Sequence, residues 1–219
     1  MSDGSGRFSR WAGGAERGDA ARLEAFSDGV LAIAITLLIL DVHVEPEHGQ
    51  SLAAALLASW PQIGAYAASF LQIGIMWANH HTLFRTIARV DQLLLLSNLF
   101  LLIFVSFLPL PTRLVAEHHL NDADGRTAML LYGGTLTACA LAFNLIWRHA
   151  ARRDLLVPGI SAAFRRDVGR RYLLGLAVYL VSTLLSQIHP WITLALTAVI
   201  AVFFLLGPSP RQAVEIPAD

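Results

Sequence analysis

The hydrophobic residues of this chain fall in long unbroken blocks, and the polar residues gather between them. Residues 30–44 are apolar apart from Thr36, Asp41 and His43, and with the turn before them predict a first span. Further apolar blocks cover 52–78, 93–110, 128–147, 172–188 and 191–206. A bilayer core of about 30 Å takes roughly 17–25 helical residues, so six spans are predicted, the first and last at the short end. Pro61 is placed to start or kink the second span. Pro109 and Pro111 are expected to close the third. The stretch His189-Pro190-Trp191 predicts a tight hairpin between the last two, with Trp191 as an interfacial anchor. A transmembrane barrel needs alternating segments of about ten residues, and these blocks do not alternate. The predicted class is an all-α membrane protein.

Composition agrees with that class, since 55% of the residues are hydrophobic and 15% charged, against about 25% charged in a soluble domain. Charge placement adds orientation. Arg7, Arg10, Arg17, Arg22, Arg85, Arg89, Arg148, Arg152, Arg153, Arg165, Arg166, Arg170, Arg171 and Arg211 fall on one side of the six-span arrangement. Only Arg113 and Arg126 fall on the other, beside Glu45, Glu47, Glu117, Asp122 and Asp124. Arginine gathers on the cytoplasmic side, so both termini are predicted to be cytoplasmic. The Gly-rich polar segment 1–20 reads as a disordered lead and not as a signal peptide. The tail 208–219 reads as disordered too, leaving one six-span domain over 21–207. A formal net charge of zero offers nothing to nucleic acid.

The start of the first span carries the most information. At about 100° per residue, Phe26, Gly29, Ile33, Leu37 and Leu40 fall on one stripe, with Thr36 at its edge. Glu24 and Asp28 lie near the opposite face. An acid at a membrane boundary is costly unless paired or wet, so Asp28 is expected to turn into protein, toward Arg22, His80 or Arg85. Taken bare, a stripe of Ile and Leu is most often helix packing.

Arg22-Leu23-Glu24-Ala25-Phe26-Ser27-Asp28-Gly29 resembles the signature of the transmembrane protein 175 family of potassium channels. Trp77-Ala78-Asn79-His80-His81-Thr82-Leu83-Phe84 is similar to the end of that family's second span. Asp91 and the run from Ser97-Asn98 to Pro109-Leu110-Pro111-Thr112 resemble its third. The resemblance covers residues 20–115, while later spans agree in number and hydropathy. Leu110 stands where the family more often has an aromatic residue.

The resemblance implies a homotetramer whose first helix lines a central potassium pore in the bacterial inner membrane. Ile33, Leu37 and Leu40 would form its hydrophobic rings, the same positions that the helical wheel selects. Arg22, Phe26, Ser27, Asp28, Gly29, Trp77, His80 and Asn98 would anchor the helix. No carbonyl-lined selectivity loop is present, and rings of Ile or Leu offer a cation nothing to coordinate. Dewetting or size filtering, with modest preference for potassium over sodium, is therefore expected. Thr36 is placed to give polar assistance, and Asp41, Glu45 and Glu47 to concentrate cations at the outer mouth.

Other residues have plainer readings. Adjacent His80 and His81 point about 100° apart and do not suit one metal; one is expected to bond Asp28 or a neighbouring subunit. No metal or organic cofactor is expected. Asn98 and Asn144 read as interhelical hydrogen-bonding residues, and Gly64, Gly74, Gly133, Gly134 and Gly175 as sites of close helix approach. A secondary transporter more usually shows repeats and midplane acids, and the later blocks carry none near their centres. No clustered His and carboxylates suggest an enzyme. A passive cation channel is the leading reading; a transporter or a non-conducting structural membrane protein is the alternative.

Overall fold

The computed structural model describes residues 5–46 and 48–205. Glu47 and the tail 208–219 lie outside the described residues. Among the described residues eight α-helices follow one another: α1 Ser5–Leu37, α2 Leu52–Ala58, α3 Trp60–Phe84, α4 Gln92–Phe107, α5 Pro109–Glu117, α6 Ala123–Arg152, α7 Ala162–Leu185 and α8 Pro190–Leu205. A 3-10 turn, Leu38–Asp41, extends α1. Among the described residues the only β pairing is a bridge between Ile87 and Leu156. Among the described residues, four stretches are long and apolar enough to cross a membrane: Gly18–Asp41, Gln92–Glu117, Ala123–Arg152 and Ala162–Leu185.

Local chemistry sets most helix starts. Ser51, Asp91, Asp122 and Ser161 each cap a helix by accepting the N–H three residues on, satisfying a donor that the helix leaves orphaned. Pro61 sits in the first turn of α3, where its missing N–H costs nothing.

The structure redraws several boundaries. Helix α1 extends back to Ser5, so most of the 1–20 segment expected to be disordered continues the helix; propagation from a formed helix needs no new nucleus. The second apolar block breaks at Ser59 into α2 and α3. Pro109 does not close the third block, because it falls in the first turn of α5 and the apolar path continues through Glu117. Helix α7 starts ten residues before Tyr172, so Arg165, Arg166, Arg170 and Arg171 lie on a helix and the loop shrinks to 153–161. The Ser161 cap explains that early start.

Helix α6 lies centrally, packed on α4, α5 and α7, while α1 rests on α3 and α4 and α8 rests on α7 and α3. Leu94, Leu101, Val105, Leu136, Cys139 and Ile146 form the closed centre of the core. Glycine matters at two crossings. A methyl group on Gly133 would stand 2.6 Å from the Thr183 hydroxyl, and one on Gly175 2.5 Å from the Phe204 ring. Gly64, Gly74 and Gly134 face open space within the subunit, so they do not serve close approach there.

Candidate functional site

Helix α1 has two unlike apolar faces. Leu23, Ser27, Leu31, Ala34 and Leu38 turn into the subunit, the last three only 1% exposed. The other face carries Phe26, Gly29, Ile33, Thr36, Leu37 and Leu40 and is uncovered, with Ile33 61%, Leu37 41% and Leu40 67% exposed. The stripe read from the sequence is thus the face that the subunit itself leaves open. The Thr36 hydroxyl donates to the Ile33 carbonyl at 2.9 Å, which leaves its oxygen lone pairs free. Asp41 ends the stripe, and its carbonyl lies 3.2 Å from His43 Nδ1. Glu45 is exposed beyond it.

Two neighbouring contacts latch α1 to α3. Trp77 Nε1 donates to Asp28 at 3.0 Å, and His81 Nδ1 meets Glu24 at 2.7 Å. The two acids are one turn apart on α1, and Trp77 and His81, one turn apart on α3, stack at 6.1 Å. The expected partners of Asp28 were charged; the partner found is the indole N–H, which reaches the acid from the next helix. Arg22 is exposed and makes no side-chain hydrogen bond among the described residues.

One layer deeper, a closed polar relay joins three helices. The Ser27 hydroxyl donates to the Leu23 carbonyl at 2.8 Å and accepts from Asn98 Nδ2 at 2.8 Å. Asn98 Oδ1 in turn accepts from His80 Nε2 at 2.9 Å. All three side chains are fully buried. His80 stacks on Phe84 at 4.2 Å, and its Nδ1 has no partner. His80 therefore bonds Asn98 instead of Asp28, and His81 serves the acid one turn away. Asn98 is an interhelical bonding residue as expected, whereas Asn144 Nδ2 is buried without a partner.

Sequence reasoning named Ser27, His80 and Asn98 separately but did not join them, and it left Glu24 without a role. The signal available was spacing: acids four apart on α1 facing an aromatic and a histidine four apart on α3. The arrangement has no catalytic geometry. It fixes the pitch and rotation of α1, holding one apolar face inward and the other outward.

These features define a multi-pass, all-helical membrane protein whose first helix leaves one apolar face uncovered. The family model described as endosomal/lysosomal potassium channel TMEM175 matches residues 22–109, the stretch that holds the latch and the relay. A potassium channel from Chamaesiphon minutus is 39% identical over 196 residues, covering 87% of this chain and 96% of its own. One from Streptomyces collinus is 42% identical over 202 residues, covering 91% and 98%. The crystal structure of a lysosomal potassium-selective channel TMEM175 homolog from Chamaesiphon minutus superposes with a TM-score of 0.74 at 37% identity, over 87% of this chain and 98% of that one. The chain belongs to the TMEM175 family.

Proposed function

We propose that this protein is a potassium channel that conducts passively through a homotetrameric pore lined by the open face of α1. Each subunit crosses the bacterial inner membrane six times, with both termini cytoplasmic. The added crossings are α3, whose Gln62, Gln72, Asn79 and His80 dilute its apolar character, and the short α8. Ile33, Leu37 and Leu40 form successive apolar rings, and Asp41 with Glu45 and Glu47 draws cations to the outer mouth. Thr36 adds the polar assistance. With its hydroxyl proton committed to Ile33, it offers a passing cation only lone pairs. Apolar rings gate by dewetting and discriminate weakly, so preference for potassium over sodium is modest.

Likeness over nearly the full length to bacterial potassium channels carries the reading of conduction. The pore face is supported by an uncharged, uncovered stripe on the helix that the family signature begins. Potassium flux into liposomes tests both. Wild type is expected to pass potassium down its gradient with no coupling ion. Ile33→Asn is expected to raise flux about tenfold, as removing about 1.4 kcal/mol from a barrier does, and to lower selectivity. Unchanged flux and selectivity in a folded Ile33→Asn tetramer would remove Ile33 from the ion path.

A further inference from the structure

The turn joining α3 to α4 is stitched to the loop joining α6 to α7. Val157 N–H donates to the Thr86 carbonyl at 2.9 Å, and Ala88 N–H donates to the Leu155 carbonyl at 2.8 Å. Ile87 and Leu156 pair between them. The Arg89 guanidinium donates to the Asp154 carbonyl at 2.8 Å, where Asp154 turns the chain at a left-handed φ of 51°.

Beside this stitching stands one compact carboxylate–imidazole contact. Asp91 Oδ1 caps α4 by accepting the Leu94 N–H at 2.8 Å. His149 Nε2, in the last turn of α6, lies 2.8 Å from Asp91 Oδ1 and 2.7 Å from Oδ2. Partial burial raises the Asp91 carboxyl, but the Leu94 N–H, the His149 bond and the charges of His149 and Arg153 outweigh it and hold it below its ordinary value. Histidine changes charge between about pH 5 and 8. With Asp91 held as a carboxylate, a proton taken up by the imidazole would turn this hydrogen bond into an ion pair. Arg153, at the end of α6, is the other charge bearing on Asp91. Asp154 of the same loop is turned to Arg165 at 3.5 Å.

Position gives this pair its consequence. The α3–α4 turn belongs to the helices that hold α1 through Trp77, His80, His81 and Asn98, and the α6–α7 loop belongs to the rest of the bundle. We propose that Asp91 and His149 form a proton-operated clasp that fastens the α6–α7 side of the bundle to the helices positioning α1. Protonation on the loop side tightens the clasp, holds α3 and α4 against α6, resists displacement of α1 and lowers potassium flux. The clasp rests on the pore reading of α1, and its two residues are positioning residues that do not meet the ion.

Potassium flux measured with pH set separately on each face of the membrane tests it. Wild type is expected to pass about twofold to fivefold less potassium at pH 5.5 than at 7.5 on the loop side, the range that a part-exposed ion pair supplies. His149→Gln keeps a donor that does not titrate, and Asp91→Asn keeps the helix cap without its charge. Each is expected to bring the ratio close to one while flux at pH 7.5 stays within about twofold of wild type. A wild-type ratio of one, or a wild-type ratio surviving in either variant, overturns the clasp. So does abolition of the ratio by His81→Gln instead, since His81 on Glu24 is the other imidazole–carboxylate contact on that side. Failure of the pore reading shows elsewhere, as indifference of flux to Ile33→Asn.

Discussion

The two halves of this bundle are fastened by different chemistry. Helices α1, α3 and α4 meet through directed polar contacts: Asp28 to Trp77, Glu24 to His81, and the buried relay Ser27–Asn98–His80. Helices α6, α7 and α8 meet chiefly through rings and small residues, with hydroxyl contacts at Thr137–Thr183 and from Thr193 to the Ser182 carbonyl. Tyr172 stacks on Phe143 at 5.9 Å and on Phe204 at 6.1 Å, Trp147 lies against Phe164 and Tyr172, and glycines open the crossings. One polar contact there, Arg171 donating to the Phe203 carbonyl at 2.9 Å, is made with the guanidinium over an aromatic face. Aromatic packing tolerates small slips, whereas a hydrogen-bond relay has one register. On the proposed pore reading, the half that presents α1 leans on the stricter chemistry.

This contrast can be broken. Asn98→Leu removes the middle of the relay and strands His80 Nε2 in the interior, while the Ser27 hydroxyl keeps its bond to the Leu23 carbonyl. With a stranded buried group costing about 1–3 kcal/mol, it is expected to lose the most stability, read as a drop in thermal unfolding temperature in detergent, and to lose flux with it. Gly175→Leu drives a side chain into Phe204 and is expected to cost about 1–3 kcal/mol by overpacking. Because the second half tolerates slip, flux per folded tetramer is expected to survive; loss of flux at wild-type stability would erase the distinction between the halves.

Smaller changes sharpen it. Trp77→Phe keeps the ring but removes the Asp28 bond, and is expected to cost about 1 kcal/mol, with Asp28→Asn retaining an acceptor and recovering most of it. The smallest effect is at acid pH. Asp91 is held below its ordinary value in the fold, so the stability it contributes is complete above the unfolded carboxylate range and lost as pH falls through the folded value. Thermal unfolding followed from pH 5 to 3 is expected to lose part of its slope in Asp91→Asn.

The legible parts of this molecule were those written in periodicity. The apolar blocks gave the helices, and the 3.6-residue spacing of Phe26, Ile33, Leu37 and Leu40 separated one face of α1 from the other. What could not be read was partner choice between distant segments. Asp28 had three charged candidates and takes Trp77, because the choice depends on how α3 is rotated against α1. Nothing in the sequence pairs Asp91 with His149, which stand 58 residues apart. Pro109 misled for a different reason: a proline that ends one helix equally suits the first turn of the next.

The 3-10 turn at Leu38–Asp41 has a geometric consequence for that open face. An α-helix would set Leu40 about 60° short of Leu37 on the wheel, since three steps of 100° fall short of a full circle. A 3-10 turn advances about 120° per residue, which brings side chains three apart into eclipse. Leu40 therefore stands directly above Leu37, about 6 Å higher at about 2 Å of rise per residue. Ile33 lies about 6 Å below Leu37, four residues at about 1.5 Å each. Change of helical pitch turns a slanting row into a ladder of three evenly spaced rungs. On the proposed pore reading, an ion passing along it would travel about 12 Å from Ile33 to Leu40 at those rises.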